Sequence, residues 1–176
     1  MAVITVLKMG DPRLQLQAEK ISDFESDSLR DNIADMIDTM RQYHGVGLAA
    51  PQIGIAKQII ILEVDNNPRY PDADTIELEI LINPKIIQFS QQKDLAWEGC
   101  LSLPGMRGKV ERSREITYQA NTETGQSYTA TAQGFHARVI QHEIDHLNGI
   151  LYPQRLTTLN EFGFEDSLPE FQQALI

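Results

Sequence analysis

Gln141-His142-Glu143-Ile144-Asp145-His146-Leu147-Asn148-Gly149 is the stretch on which the reading of this chain turns. Two imidazoles stand four positions apart, and a carboxylate directly follows the first. With about 100° per helical residue and His142 at zero, His146 falls near ~40°, Phe135 near ~20° and Val139 near ~60°. Glu143 flanks this stripe on one side and Asp145 on the other, while Ile140, Ile144, Leu147 and Leu151 cluster opposite. A helix apolar on two faces is buried on both. Two readings of the rings compete: satisfied core histidines, or ligands to a shared ion that offsets the cost of burying them. The full pattern favours the ion. Imidazoles at i and i+4 can meet one cation, and a Glu beside the first can take a proton from water activated there.

Working outward, composition bounds what such a helix could serve. A chain of 176 residues, 41% hydrophobic and 23% charged, is of ordinary size and composition for one globular domain. No run of apolar residues is long enough to span a bilayer, so no membrane association is expected. The opening Met-Ala-Val-Ile-Thr-Val-Leu-Lys-Met-Gly lacks a basic-then-apolar signal, and the expected location is cytoplasmic. A single cysteine excludes an intramolecular disulfide and suits a reducing compartment. A net charge of −10 repels phosphates, so no general nucleic-acid binding is expected.

Along the chain, Gly10 to Leu14 reads as a turn. Ser28 to Tyr43 reads as a core helix, with Ser28 as N-cap and Leu29, Ile33, Met36, Ile37 and Met40 at helical spacing. The following Gly45-Val46-Gly47-Leu48-Ala49-Ala50-Pro51-Gln52 is rich in small residues that allow close backbone approach. On local evidence it reads as a tight turn between helix and strand. Gln52 is also the kind of neutral donor that an oxyanion site can use. Gln58 to Val64 is predicted as a buried strand, 66–74 as a polar loop, and Glu77 to Asn83 and Lys85 to Phe89 as two further strands. Arg112 to Ala120 and Ser127 to Ala132 are predicted to form a hairpin. Strands first and a buried helix late give an α+β class, with antiparallel sheets packed around a central helix that carries the His-Glu-x-x-His motif.

Cys100, within Trp97-Glu98-Gly99-Cys100-Leu101-Ser102-Leu103-Pro104, reads by itself as a small buried hydrophobe. A thiolate is nonetheless a strong ligand for the metals that imidazole binds, and an open catalytic site needs a third protein ligand that the helix lacks. His44 and His136 share no motif with it and read as surface or structural. The expected organisation is one catalytic metallohydrolase domain over residues 1–155, then an acidic C-terminal tail over 156–176. Past Arg155 that tail carries Glu161, Glu165, Asp166 and Glu170 and neither Lys nor Arg.

Three motifs in this order resemble the signature segments of the peptide deformylase family: Gly45 to Gln52, Glu98 to Ser102, and Gln141 to His146. Asp11-Pro12-Arg13-Leu14 and Leu147-Asn148-Gly149 also fit, and the resemblance extends from about residue 4 to about residue 155. It implies a metal-dependent hydrolase that removes the N-formyl group from the N-terminal formylmethionine of nascent proteins. Cys100, His142 and His146 would hold one divalent ion per chain, Fe²⁺ natively with Zn²⁺, Ni²⁺ or Co²⁺ as substitutes, and a water would complete the set. Glu143 would be general base and then acid, and Gln52 with the backbone N–H of Leu101 would hold the developing oxyanion. Val46 and Gly47 would pair with the peptide as an added strand, and Gly45, Val139 and His142 would lie near the methionine pocket. The resemblance also pairs Arg112 with Asp145, although Glu111 stands where many members have proline. Members that dock on the ribosome do so through a basic C-terminal helix, which the acidic tail does not match, so docking through this tail is not expected.

Two other function classes compete. A zinc endopeptidase shares His-Glu-x-x-His, but in the family that continues to a third His the required position is Tyr152. A metal-binding interaction protein without turnover would need neither Glu143 nor Gln52, since neither is required to hold an ion.

Overall fold

The structure, a computed structural model, describes residues 2–65, 67, 70 and 73–169. Helix α1 (Asp27–Gln42) forms because Leu29, Ile33, Met36 and Met40 recur every three or four residues and bury together. It starts one residue before the expected boundary. Ser26, in extended conformation, occupies the N-cap position without a side-chain cap bond, and Ser28 lies inside the first turn.

The small-residue segment after α1 is not a simple turn. The turn that ends α1 is made by Tyr43 and His44, the latter at φ 51°, and the chain then enters strand β1 (Gly47–Ala49) and a 3-10 turn, Ala50–Ile53. Strand β2 (Ile59–Val64) is the best example of sequence dictating layer. Ile60, Leu62 and Val64 face one core, Ile59 and Ile61 face the other, and so the run is apolar without alternation.

The two strands expected around Asn83-Pro84 are one long strand, β3 (Ile76–Phe89), with an irregularity between Ile82 and Lys85. Asn83 sits there at φ 52°, and its carboxamide exchanges two 2.8 Å hydrogen bonds with the Ile21 backbone. That local bonding is why the strand bends rather than ends. Strands β4 (Lys93–Cys100) and β5 (Leu103–Ser113) then form a hairpin absent from the sequence reading. Strands β6 (Glu115–Asn121) and β7 (Ser127–Gln133) form the predicted hairpin, but Arg112 belongs to β5 instead.

Helix α2 (Gly134–Leu147) contains the His-Glu-x-x-His stretch and buries ten residues. It ends at Leu147, so Leu151, expected on its apolar face, lies beyond it and packs instead with Cys100 and Tyr152. Gly149 follows at φ 71°, where a Cβ would collide with the Gln15 carbonyl. Strand β8 (Phe162–Phe164) is the last strand among the described residues, and a 3-10 turn, Glu165–Ser167, follows it.

The strands form two antiparallel sheets, ordered β1-β2-β3-β6-β7 and β4-β5-β8. The five-stranded sheet packs α1 against one face and α2 against the other. The class is α+β, as expected. No helix among the described residues is long and apolar enough to cross a membrane. Five residues of the expected 66–74 loop (66, 68, 69, 71 and 72), and residues 170–176 of the tail, lie outside the described residues.

Candidate metal centre

Three elements converge on one point. Helix α2 presents His142 and His146 one turn apart, with ring centroids 5.0 Å apart, and the end of β4 delivers Cys100 against them. One ligand atom from each of these three buried residues lies within 4.8 Å of the others, and the Cys100 Sγ to His146 Nε2 distance is 3.3 Å. A sulfur and two ring nitrogens at this spacing suit a divalent transition metal. His146 is held well below the ordinary imidazole range chiefly by its burial, which favours the neutral ring that a metal needs.

His142 is oriented from behind. Its Nδ1 lies 2.9 Å from Glu98 Oε2, which leaves Nε2 as the ring nitrogen for an ion. Glu98 is shared: Arg112 reaches it at 2.9 and 3.0 Å, and Arg138 at 2.8 Å. Burial alone would push this carboxyl up. Hydrogen bonds from His142 and Arg112 outweigh it and hold Glu98 far below the usual carboxylate range. Arg112 also donates to Asp145 Oδ2 at 2.6 Å, so the expected pairing forms despite Glu111. Arg155 completes the network on Asp145 at 2.7 Å.

Glu143 differs from Glu98 in its partners and its proton affinity, though both are buried. It is buried, its Oε2 has no hydrogen-bond partner, and burial pushes it up to about 7. Gly47 of β1 lies so close that a Cβ there would come within 2.6 Å of Glu143 Oε1. Gln52 is fixed by its own backbone turn. Its Oε1 accepts from the Ala49 N–H at 2.8 Å, which aims Nε2 at Cys100 Sγ (3.4 Å) and Ser102 Oγ (3.3 Å).

A cavity beside these groups is lined by Gly45, Val46, Gly47, Leu101 and Val139, each a residue expected at the site, together with Glu143. Strand β1 is an edge of its sheet. The Val46 carbonyl accepts from the Glu63 N–H at 3.1 Å, so by strand alternation Gly47 turns its backbone groups to the open side.

His44 is exposed in the turn after α1, and His136 lies 3.1 Å from Glu79; neither joins the cluster. Sequence reasoning missed the shared carboxylate of Glu98 and its partner Arg138. A signal existed for Arg138: it precedes His142 by one helical turn, on the same face. It also missed Tyr152, whose ring stacks on His142 at 27° and 6.1 Å.

A family model described as polypeptide deformylase matches residues 3–162. The chain belongs to the peptide deformylase family. Deformylases are metal-dependent hydrolases that remove the N-formyl group from N-terminal formylmethionine, and formylmethionyl peptides are the substrates of the family. Peptide deformylase 1 of Nitrosomonas europaea is 50% identical over 163 residues, which cover 93% of each chain. Peptide deformylase 1 of Bordetella pertussis is 48% identical with the same coverage. Among solved structures, the Met-Ala-Ser-bound class I type b peptide deformylase of Acinetobacter baumannii matches with TM-score 0.85 and 42% identity. That match covers 88% of this chain and 99% of that one. The peptide deformylase of Thermotoga maritima matches at 0.81 and 35%, covering 90% and 100%.

Proposed function

We propose that Cys100, His142 and His146 hold one divalent ion, Fe²⁺ natively with Zn²⁺, Ni²⁺ or Co²⁺ able to replace it. The observation that carries this reading is the approach of three buried ligand atoms to within 4.8 Å. When bound, the ion supplies Lewis acidity, which can bring the pKa of water to about 7. Cys100 ligates as thiolate, so a ferrous form loses activity on exposure to oxidants.

The chain's own residues do the rest. Glu143 accepts a proton from the attacking water and returns it to the amine nitrogen as the C–N bond breaks, a role worth about 10²- to 10⁴-fold. Its unpartnered oxygen and raised proton affinity suit that exchange. Gln52 Nε2 and the Leu101 N–H face the oxygen that gains charge; each such donor contributes about 3 to 4 kcal/mol. Gly47, with Val46 held by Glu63, aligns the peptide as an added edge strand. Gly45, Val139 and His142 border the methionine side chain. Arg112 and Asp145 brace Glu98 and so the His142 ring.

In this reading α2 is the central helix around which both sheets pack, and residues 1–155 carry the catalysis in the cytoplasm. The acidic stretch over 156–176 is not a ribosome anchor, and the chain does not bind nucleic acid. Salt-sensitive cosedimentation with ribosomes that vanished on its deletion would contradict this.

The deciding experiment is formate release from formyl-Met-Ala-Ser by anaerobically prepared protein, beside internal peptides, with metal analysis of the parent and of Glu143→Ala. Formate release by the parent alone, with metal retained in both, is expected. A metal-loaded parent that releases no formate, or that cleaves internal peptides, contradicts the assignment.

A further inference from the structure

The acidic stretch beyond Arg155 reaches back to the peptide cavity through two ion pairs. Strand β8 lies antiparallel on β5, with Met106 opposite Phe164, Arg107 opposite Gly163 and Gly108 opposite Phe162. This register sets the two carboxylates flanking β8 against two cations of β5. Glu161 Oε1 lies 2.5 Å from Lys109 Nζ, and Glu165 Oε1 lies 2.7 Å from Arg107 Nε.

Each cation in turn sits on an aromatic ring of the cavity wall. Lys109 Nζ lies 5.1 Å from the centroid of Trp97. Arg107 Cζ lies 5.2 Å from the centroid of Tyr70, and its Nη1 donates to the Tyr70 hydroxyl at 2.8 Å. Trp97 and Tyr70 both line the cavity that holds Cys100 and Glu143. Arg107 has little slack. Its side chain is 4% exposed, and a Cβ on Gly99 would meet its Nη1 at 2.6 Å. A guanidinium buried this far depends on its carboxylate and phenol partners for orientation.

We infer that Glu161 and Glu165 are positioning residues for peptide binding: they fix Lys109 and Arg107, and through them the Trp97 and Tyr70 wall of the substrate cavity. The inference rests on reading that cavity as the peptide site. The device acts on KM rather than on the chemical step, because neither carboxylate lines the cavity that holds Cys100, His142 and Glu143. Both carboxylates are about one-third exposed, so salt screens them and the effect is moderate.

The test uses the metal-loaded full chain and formyl-Met-Ala-Ser, comparing the parent with Glu161→Gln, Glu165→Gln, their double variant, and Tyr70→Phe. In the double variant KM should rise about three- to tenfold at low salt, with kcat changed by less than about twofold and metal content and melting temperature retained. Glu165→Asp should recover part of the loss. Tyr70→Phe should raise KM non-additively with Glu165→Gln, since both act through Arg107. Emission from Trp97, the single tryptophan, should shift in Glu161→Gln. An active parent with unchanged KM in the double variant, or a fall in kcat that tracks lost metal, overturns the inference alone. A metal-loaded parent without formate release overturns the underlying catalytic reading and this inference with it.

Discussion

At the scale of single residues, the centre works by contrasts between neighbours. Glu98 and Glu143 are both buried, yet one is saturated by Arg112, Arg138 and His142 while the other keeps an oxygen unpartnered. A consequence for stability follows from the sign of the Glu143 shift. Its folded value is raised, from an ordinary 4.5 to about 7, so the stability associated with it is full below about 4.5 and is lost as pH rises through about 7. In metal-free protein, Glu143→Gln should therefore stabilise the fold above pH ~7 by up to roughly 3 kcal/mol and leave it unchanged near pH ~4. Urea unfolding at both pH values checks this; equal gains at both would exclude ionisation as the cause. Gly47→Ala tests the close approach of β1. Its Cβ would sit 2.6 Å from Glu143 Oε1, so that carboxylate must move. The expected loss in kcat is about 10²-fold with an unchanged circular dichroism spectrum.

At the scale of elements, the sheets hold the site through irregularities rather than through their regular parts. The bend in β3 depends on Asn83, which adopts a left-handed φ and ties the strand to Ile21. Asn83→Ala removes both hydrogen bonds and keeps the unfavourable φ, so it should cost about 2 to 3 kcal/mol. Asn83→Gly relieves the φ alone and should cost less. Equal melting temperatures for the two variants would mean that backbone conformation contributes nothing there. Elements whose information is local were legible, among them α1 from its spacing of Leu29, Ile33, Met36 and Met40, and β2 from its unbroken apolar run. Strands β4, β5 and β8 were not. Lys93–Cys100 mixes charge, glycine and small residues, and its strand conformation comes from pairing with β5 rather than from its own pattern.

At the scale of the whole molecule, the function is an assembly of pieces brought together from distant parts of the chain. His142 and His146 could be paired from sequence because a helix spaces them itself. Cys100 joins them across 46 residues, and Glu98 gathers Arg112, Arg138 and His142 from 14, 40 and 44 residues away. No periodicity encodes such distances: donor chemistry and likeness to a family pointed to Cys100, while the segment that contains Glu98 carried no role for that carboxylate. The proposed chemistry depends on the shared ion. X-ray absorption on anaerobically metal-loaded protein tests it most directly. One sulfur ligand at about 2.3 Å and two imidazole nitrogens at about 2.0 to 2.1 Å are expected, with the sulfur contribution lost in Cys100→Asp. A first coordination shell of nitrogen and oxygen alone in the parent protein would contradict it.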